Sequence, residues 1–385
     1  MRHLARRWLT VIFATAGMCS LVACSDTSPQ AAASAPEGQE PTAVRTVGAD
    51  DAGMPSVTTG SDMHGGTTTG TEPGADASAG NDATPGADGQ TMPVAVNPWN
   101  LDVTSLAVHA RSDAMRTFLK SKGGFGGGNH KLQIDPTLAV VRVPESTPLV
   151  PYARNGNYAT PDCDDLPFPR PTLPTWTSCS GDCDVIVLMG NKEFDLFGAE
   201  STIPLKAGCL AVWDVAKVYP PTLRGDQCTS ADAAGFPKAA MAINPDEIAS
   251  GVINHALRLV FPNDRFRKRK MVRPATHAGV TAEMSDSEDA IPYGTRFRLK
   301  SGFDLTKLPS DGGRVIARAF QKYGLIIADG GEIPVTAWDD TYTTAKWDTV
   351  VKDGSHELFA ITLDDLEILE AGPLLDVTFE CVRNP

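Results

Sequence analysis

Between Ser25 and Val96 this chain contains no Leu, Ile, Phe, Trp, Tyr or Lys, and that absence decides where it can fold. Fixing one residue's backbone costs on the order of 1–2 kcal/mol, and a stretch without large apolar side chains has little to set against that cost. These 72 residues hold ten Asp or Glu against one basic residue, Arg45, and the rest is largely Gly, Ala, Thr, Ser and Pro. The composition predicts a disordered acidic tether over residues 24–96, with a root-mean-square reach of about 45–50 Å as a flexible coil. Folding is left to residues 97–385, a globular β-rich domain large enough for a substantial core, as one body or two close-packed lobes.

Arg2, Arg6 and Arg7 precede an uncharged run over residues 8–23, the shape of a secretory signal and too short to span a bilayer comfortably. Leu21-Val22-Ala23-Cys24 resembles the lipobox of a bacterial lipoprotein. The resemblance implies a signal peptide over residues 1–23, cleavage before Cys24, and acylation of that cysteine by chains such as palmitate. Several chains anchor a protein in a bilayer far more firmly than one. Ser25 stands where an aspartate is associated with inner-membrane retention. The expected location is therefore the cell envelope, lipid-anchored at the outer membrane on its periplasmic side or at the cell surface.

Cys19 goes with the leader and Cys24 takes the lipid, leaving Cys163, Cys179, Cys183, Cys209, Cys228 and Cys381. Six thiols in an exported protein favour up to three disulfides, and the fifteen pairings stay open. Cys179 and Cys183 are separated by three residues with no matching histidine pair, which argues against zinc. No metal or cofactor is expected.

A short helix is predicted over residues 113–120, running into Gly123-Gly124-Phe125-Gly126-Gly127-Gly128. Glycine loops can cradle phosphate, but this one follows a helix instead of opening one, and it reads as a flexible connection. Residues 138–143, 184–189 and 209–214 read as strands, and the Pro-rich stretch 144–174 as irregular chain stapled by disulfides. Asn244-Pro245-Asp246-Glu247 supplies a cap, a first-turn proline and acids for a helix ending near Gly251. The clearest strand signal covers residues 252–261. It puts Ile253, His255, Leu257, Leu259 and Phe261 on one face and Val252, Asn254, Ala256, Arg258 and Val260 on the other. A second covers residues 293–300, with Tyr293 and Phe297 opposite Arg296 and Arg298. Ser310 and Asp311 start a helix with an Ile316, Phe320, Tyr323 stripe, stopped by Gly324. Residues 325–328 and 333–338, joined through Asp329-Gly330-Gly331, read as a hairpin. Strands outnumber helices without βαβ alternation, so the expected fold is mainly β, of the α+β kind. That means a β-sandwich, jelly-roll-like arrangements included, with a few short helices.

Cys209-Leu-Ala-Val-Trp-Asp, Cys228-Thr-Ser-Ala-Asp-Ala-Ala-Gly, Ile253-Asn-His-Ala-Leu, Arg273-Pro-Ala-Thr-His, Pro292-Tyr-Gly-Thr-Arg-Phe-Arg and Ala317-Arg-Ala-Phe-Gln-Lys-Tyr-Gly-Leu succeed one another along the chain. Over roughly residues 160–350 this order resembles an uncharacterised group of secreted bacterial proteins. The resemblance implies export and work on extracellular polymers or surfaces, and no particular reaction.

His255, on the more apolar face of its strand, is expected as a buried, hydrogen-bonded histidine. The alternative is a groove in which His255, His277 and Tyr293 act as general acid and base beside a substrate carboxylate, as in uronate-cleaving lyases. Asn254, Arg258, Arg296 and Arg298 are then the substrate-binding candidates. Strand parity sets Arg258 opposite His255 and Arg296 opposite Tyr293, so a bulge or loop is needed to collect them. A glycosidase needs two carboxylates instead. Asp329, Glu332, Asp339 and Asp340 lie near the predicted hairpin, with Trp338 and Trp347 to stack on sugar rings, while Asp232 is a helix-capping candidate. G-x-S-x-G, H-E-x-x-H and P-loop motifs are absent, and with them the usual signs of a serine hydrolase, a zincin protease and an NTPase.

Arg265, Arg267, Lys268, Arg269, Lys270 and Arg273 gather six cations on a chain of formal charge -13. They read as a solvated loop or, if functional, as a contact for an anionic polymer. Only Phe266 is interleaved, so sequence-specific nucleic-acid reading is not expected. Glu283, Asp286, Glu288 and Asp289 are expected to pair with them and do not match a calcium loop. The sequence supports a lipid-anchored envelope protein whose β-sandwich domain binds, and in the stronger form cleaves, an extracellular glycan. The alternative is a non-enzymatic surface adhesion or envelope-interaction module. Neither enzyme against module nor the oligomeric state is decided by the sequence.

Overall fold

The computed structural model describes residues 96–155, 158, 160–171, 184–200 and 205–384. Cys24 and its leader, the tether up to residue 95, and Cys179 and Cys183 lie outside them. The protein is mainly β, with several sheets and a few short helices, as its strand and turn signals predict.

Ten strands build the two larger sheets. They are β1 (Ile134–Leu138), β2 (Val140–Val143), β3 (Val185–Met189), β4 (Lys192–Phe197), β5 (Cys209–Asp214), β6 (Leu257–Phe261), β7 (Arg296–Leu299), β8 (Leu325–Gly330), β9 (Val335–Trp338) and β10 (Leu366–Ile368). The six-stranded sheet has the order β1-β9-β6-β8-β7-β10, and the four-stranded sheet the order β2-β3-β4-β5. The pairs β1·β9, β6·β8 and β2·β3 are parallel. Ala139 alone separates β1 from β2, so the chain steps there from one sheet into the other.

The helices follow their local signals. Among them, α1 (Ser112–Ser121), α2 (Lys238–Met241), α3 (Pro245–Ser250) and α4 (Asp311–Lys322) matter below. Asn244 caps α3 by accepting from the Asp246 N–H, and Ser310 caps α4 by accepting from the Gly313 N–H. Ile316 and Phe320 of α4 join Leu257, Leu259, Phe261, Phe297 and Ile327 in the main core, each such burial being worth roughly 1.5–3 kcal/mol. A second core, with Phe168, Val187, Phe194, Leu196 and Leu210, belongs to the four-stranded sheet. Disulfides join Cys163 to Cys209 and Cys228 to Cys381, so the Pro-rich stretch is stapled as expected, with short strands such as Tyr152–Arg154 within it. No helix among the described residues is long and apolar enough to cross a membrane.

Five readings need correction. The strand expected over 252–261 starts only at Leu257, and His255 precedes it; all five β6 residues are buried because the strand is central and covered on both faces. The strand expected over 293–300 is divided by Gly294, at φ +82°, into Ile291–Tyr293 and β7. A Cβ at Gly294 would stand 2.0 Å from the Val272 carbonyl oxygen, so only glycine fits the break. The hairpin expected around Asp329 does not form: β6 lies between β8 and β9, parallel to the first and antiparallel to the second. A two-residue Gly190-Asn191 turn joins a true hairpin, β3 to β4. The basic run is not a solvated loop but largely a strand, Phe266–Met271. Within the run Arg265 is buried on the Lys122 and Gly124 carbonyls, Lys270 pairs with Asp376 and Arg273 with Asp226. Glu288 and Asp289 pair with Arg111 rather than with that run.

Candidate functional site

One face of the six-stranded sheet carries a grouping of buried charge centred on Arg258. Along β6 and β8, Arg258 stands opposite Ile326 and Leu259 opposite Ile327, but Val260 stands opposite Asp329, leaving Ala328 as an extra residue. Without that bulge, alternation would turn Asp329 toward the apolar side with Leu257 and Leu259. With it, Asp329 shares the Arg258 face. Thr336 of β9 and its register partner Asp135 of β1 lie on the same face.

Arg258 is held from three directions. Its Nε donates to Asp232 at 2.8 Å, one terminal nitrogen to the Thr336 hydroxyl at 2.7 Å, and the other to Asp329 at 3.0 Å and Asp232 at 2.7 Å. Asp232 is fully buried and also accepts from the Phe236 N–H, while the Ala233 N–H donates to Asp329. Burial pushes Asp232 up to about 6, although Arg258 pulls it down.

Across from this face stand Asp184, Phe197 and Lys238, and the two sides enclose a cleft of about 520 Å³. Lys238 donates to Asp184 at 2.6 Å and lies over the Phe197 ring. Burial raises the Asp184 carboxyl above its ordinary range, opposed by Lys238, and the charge of Asp329 raises it further. Behind Lys238, the first turn of α2 has no side-chain cap of its own, because Pro237 occupies that position. Glu193 and Asp195, two apart on β4 and so on one face, take over: Asp195 accepts from the Lys238 N–H, and Glu193 from those of Ala239 and Ala240. The two acids are completely buried and neighbour each other on that face. Burial pushes Asp195 up to about 7, and burial plus the neighbouring charge lifts Glu193 well above a normal glutamate.

Arg258 is the substrate-binding candidate that the fold brings to this cleft, together with Asp329, Glu332 and Asp339 from the glycosidase set. His277 and Tyr293 lie close behind it. His277 Nδ1 is 3.0 Å from the Ala233 carbonyl oxygen, and burial lowers its pKa. The buried Tyr293 phenol feels Asp329 and Asp232, and its pKa is raised chiefly by burial. His255 is held elsewhere, with Nδ1 2.9 Å from the Ala256 carbonyl oxygen and Nε2 3.3 Å from the Glu247 carboxylate. Asn254 is exposed beside Tyr323. Arg296 is buried on the Pro98 carbonyl, its pKa lowered to about 10, and Arg298 is tied to Glu367 and the Val103 carbonyl. Trp338, expected to stack on sugar, is buried, donates to the Ala239 carbonyl and is covered by Arg142. Asp340 accepts from the Trp347 N–H. The sequence reading missed Asp184, Lys238 and the Glu193–Asp195 pair. Two acids at alternate positions of a short apolar strand are the one trace the pair leaves.

Among the described residues, the one grouping of metal-type donors is Asp162 with Cys228 and Cys381, and those two sulfurs are joined in a disulfide. No family model matches the chain, and neither a curated protein nor a solved structure matches it.

Proposed function

We propose that this is a lipid-anchored protein of the bacterial envelope whose globular part binds an extracellular glycan in the Arg258 cleft and hydrolyses it with Asp184 and Asp329. The observation that carries the reading is the β6·β8 bulge, which gives up ladder regularity to turn Asp329 into a cleft already holding Asp184. Glycoside hydrolysis needs one carboxyl that keeps a proton and one that does not. Burial of Asp184 suits it to protonate the departing glycosidic oxygen. Asp329, fixed as an acceptor by Arg258 and the Ala233 N–H, takes the proton of the water whose oxygen bonds to the anomeric carbon. One water is consumed for each glycosidic bond broken. His255, His277 and Tyr293 do not line this cleft, so the carboxylates are the better-placed acid and base.

The reading is tested by incubating the full-length protein with neutral and charged polysaccharides and following reducing ends. Asp184→Asn and Asp329→Asn each lower turnover by about 10²–10⁴-fold. Binding without turnover on any polymer leaves the non-enzymatic module, and absence of both removes the glycan reading. The anchor, supported by the lipobox residues, has its own check. A palmitate analogue fed to expressing cells labels the wild type and not Cys24→Ala; an unlabelled wild-type protein in the soluble fraction overturns it.

A further inference from the structure

We infer that the cleft selects glycans bearing free amino groups over N-acetylated or acidic ones, an inference that rests on the glycan reading of the same cleft. Among the described residues, five carboxyl groups line it against two cations, and both cations are engaged internally, Lys238 with Asp184 and Arg258 with Asp232 and Asp329. The remaining three carboxylates have uncharged partners. Asp135 accepts from the Thr137 hydroxyl at 2.7 Å, Glu332 from the Gly127 N–H at 3.4 Å, and Asp339 from the Thr341 N–H at 3.0 Å. The lining therefore carries an uncompensated negative potential, and low-dielectric walls focus such a field.

A second observation points to a donor on the ligand. Asp184 uses one oxygen, Oδ2, to hold Lys238, while its Oδ1 is buried with no hydrogen-bond partner among the described residues. In the ionised state of Asp184 that pairs with Lys238, before it takes up the proton used in the acid step, a buried oxygen without a donor is costly, and a ligand that supplies one recovers that loss. A sugar ammonium offers three donors and a positive charge. An N-acetyl group offers a single donor with no charge and added bulk, and a uronate brings a third kind of outcome, repulsion from the same carboxylates. The anionic polymers that the basic run suggested are thus the poorest match to this cleft.

The full-length protein is titrated calorimetrically with tetramers of glucosamine, N-acetylglucosamine and galacturonate. At low salt the glucosamine tetramer is expected to bind about ten-fold tighter than the acetylated one, with the galacturonate tetramer weakest. In about 1 M salt, where the screening length falls to roughly 3 Å, the preference contracts several-fold. Combining Asp135→Asn, Glu332→Gln and Asp339→Asn brings glucosamine binding down toward the acetylated level. If the wild type binds the acetylated or the acidic tetramer as tightly as the glucosamine one, the amino-group inference is overturned and the glycan reading survives. If none of the three tetramers binds, the amino-group inference is overturned, and the glycan reading is decided by the polysaccharide panel.

Discussion

At the scale of single residues, Arg258 joins the fold to the candidate chemistry, and its structural part is measurable without any ligand. Replacing it by methionine leaves Asp232, which has no exposure to water, without its cation. Removing one partner of a buried pair costs about 3–5 kcal/mol, so Arg258→Met is expected to lower the unfolding free energy by that order in denaturant titrations. The loss should be larger at pH 8 than at pH 5. Asp232 is pushed up to about 6 even with the guanidinium present, so at low pH it is protonated and no charge is stranded. Adding Asp232→Asn to Arg258→Met should recover most of the loss, and a double variant no more stable than the single one would contradict the account. Arg258 was legible in the sequence as a cation within an apolar strand. Its partners were not, because Asp232 lies 26 residues away and Asp329 reaches it only through a bulge that simple alternation does not foresee.

At the scale of elements, helices announced themselves and strand partners did not. Asn244, Pro245 and Gly251 bound α3, and Ser310 and Gly324 bound α4, because caps are local chemistry. The pairing of β6 between β8 and β9 is set by tertiary burial, which a stretch rich in Asp and Gly between two apolar runs cannot report. The short helix α2 belongs to this second kind, since its amides are capped from another element by Glu193 and Asp195. That arrangement makes stability depend on pH. An acid whose folded pKa lies above its unfolded value binds more protons when folded, so its contribution is complete below about pH 4 and is lost as pH rises to about 7, the value to which Asp195 is pushed. Asp195→Asn removes the like-charge neighbour. Its amide oxygen still accepts from the Lys238 N–H, and its amide nitrogen gives the buried Glu193 carboxylate a neighbouring donor in place of a second acid. The variant should gain on the wild type across that window, reaching on the order of 2 kcal/mol near pH 7. Parallel stability–pH curves for the two proteins would refute this role.

At the scale of the whole molecule, two disulfides tie distant parts of the described chain together, and which cysteines pair is a property of the fold. Cys228 and Cys381 are 153 residues apart, and the short strands Gly225–Asp226 and Val382–Arg383 pair beside their bridge, so chain ends distant in sequence close one loop. In the chain-entropy view a loop of this length stabilises by about 5 kcal/mol, and the 46-residue loop closed by Cys163 and Cys209 by about 4. Loop entropy alone thus separates the two bridges by only about 1 kcal/mol. Position separates them further. Cys228 opens the segment that delivers Asp232 to Arg258 and the Ala233 N–H to Asp329, and its own carbonyl accepts from Thr276. The Cys228→Ala/Cys381→Ala protein should therefore lose stability to a degree similar to Cys163→Ala/Cys209→Ala, yet lose more of whatever glycan binding the cleft supports when both are compared well below their unfolding midpoints. Denaturant midpoints and calorimetric titrations on the two double variants check the two halves of that statement separately. Equal binding by both would mean that the 228–236 segment holds its place without the bridge.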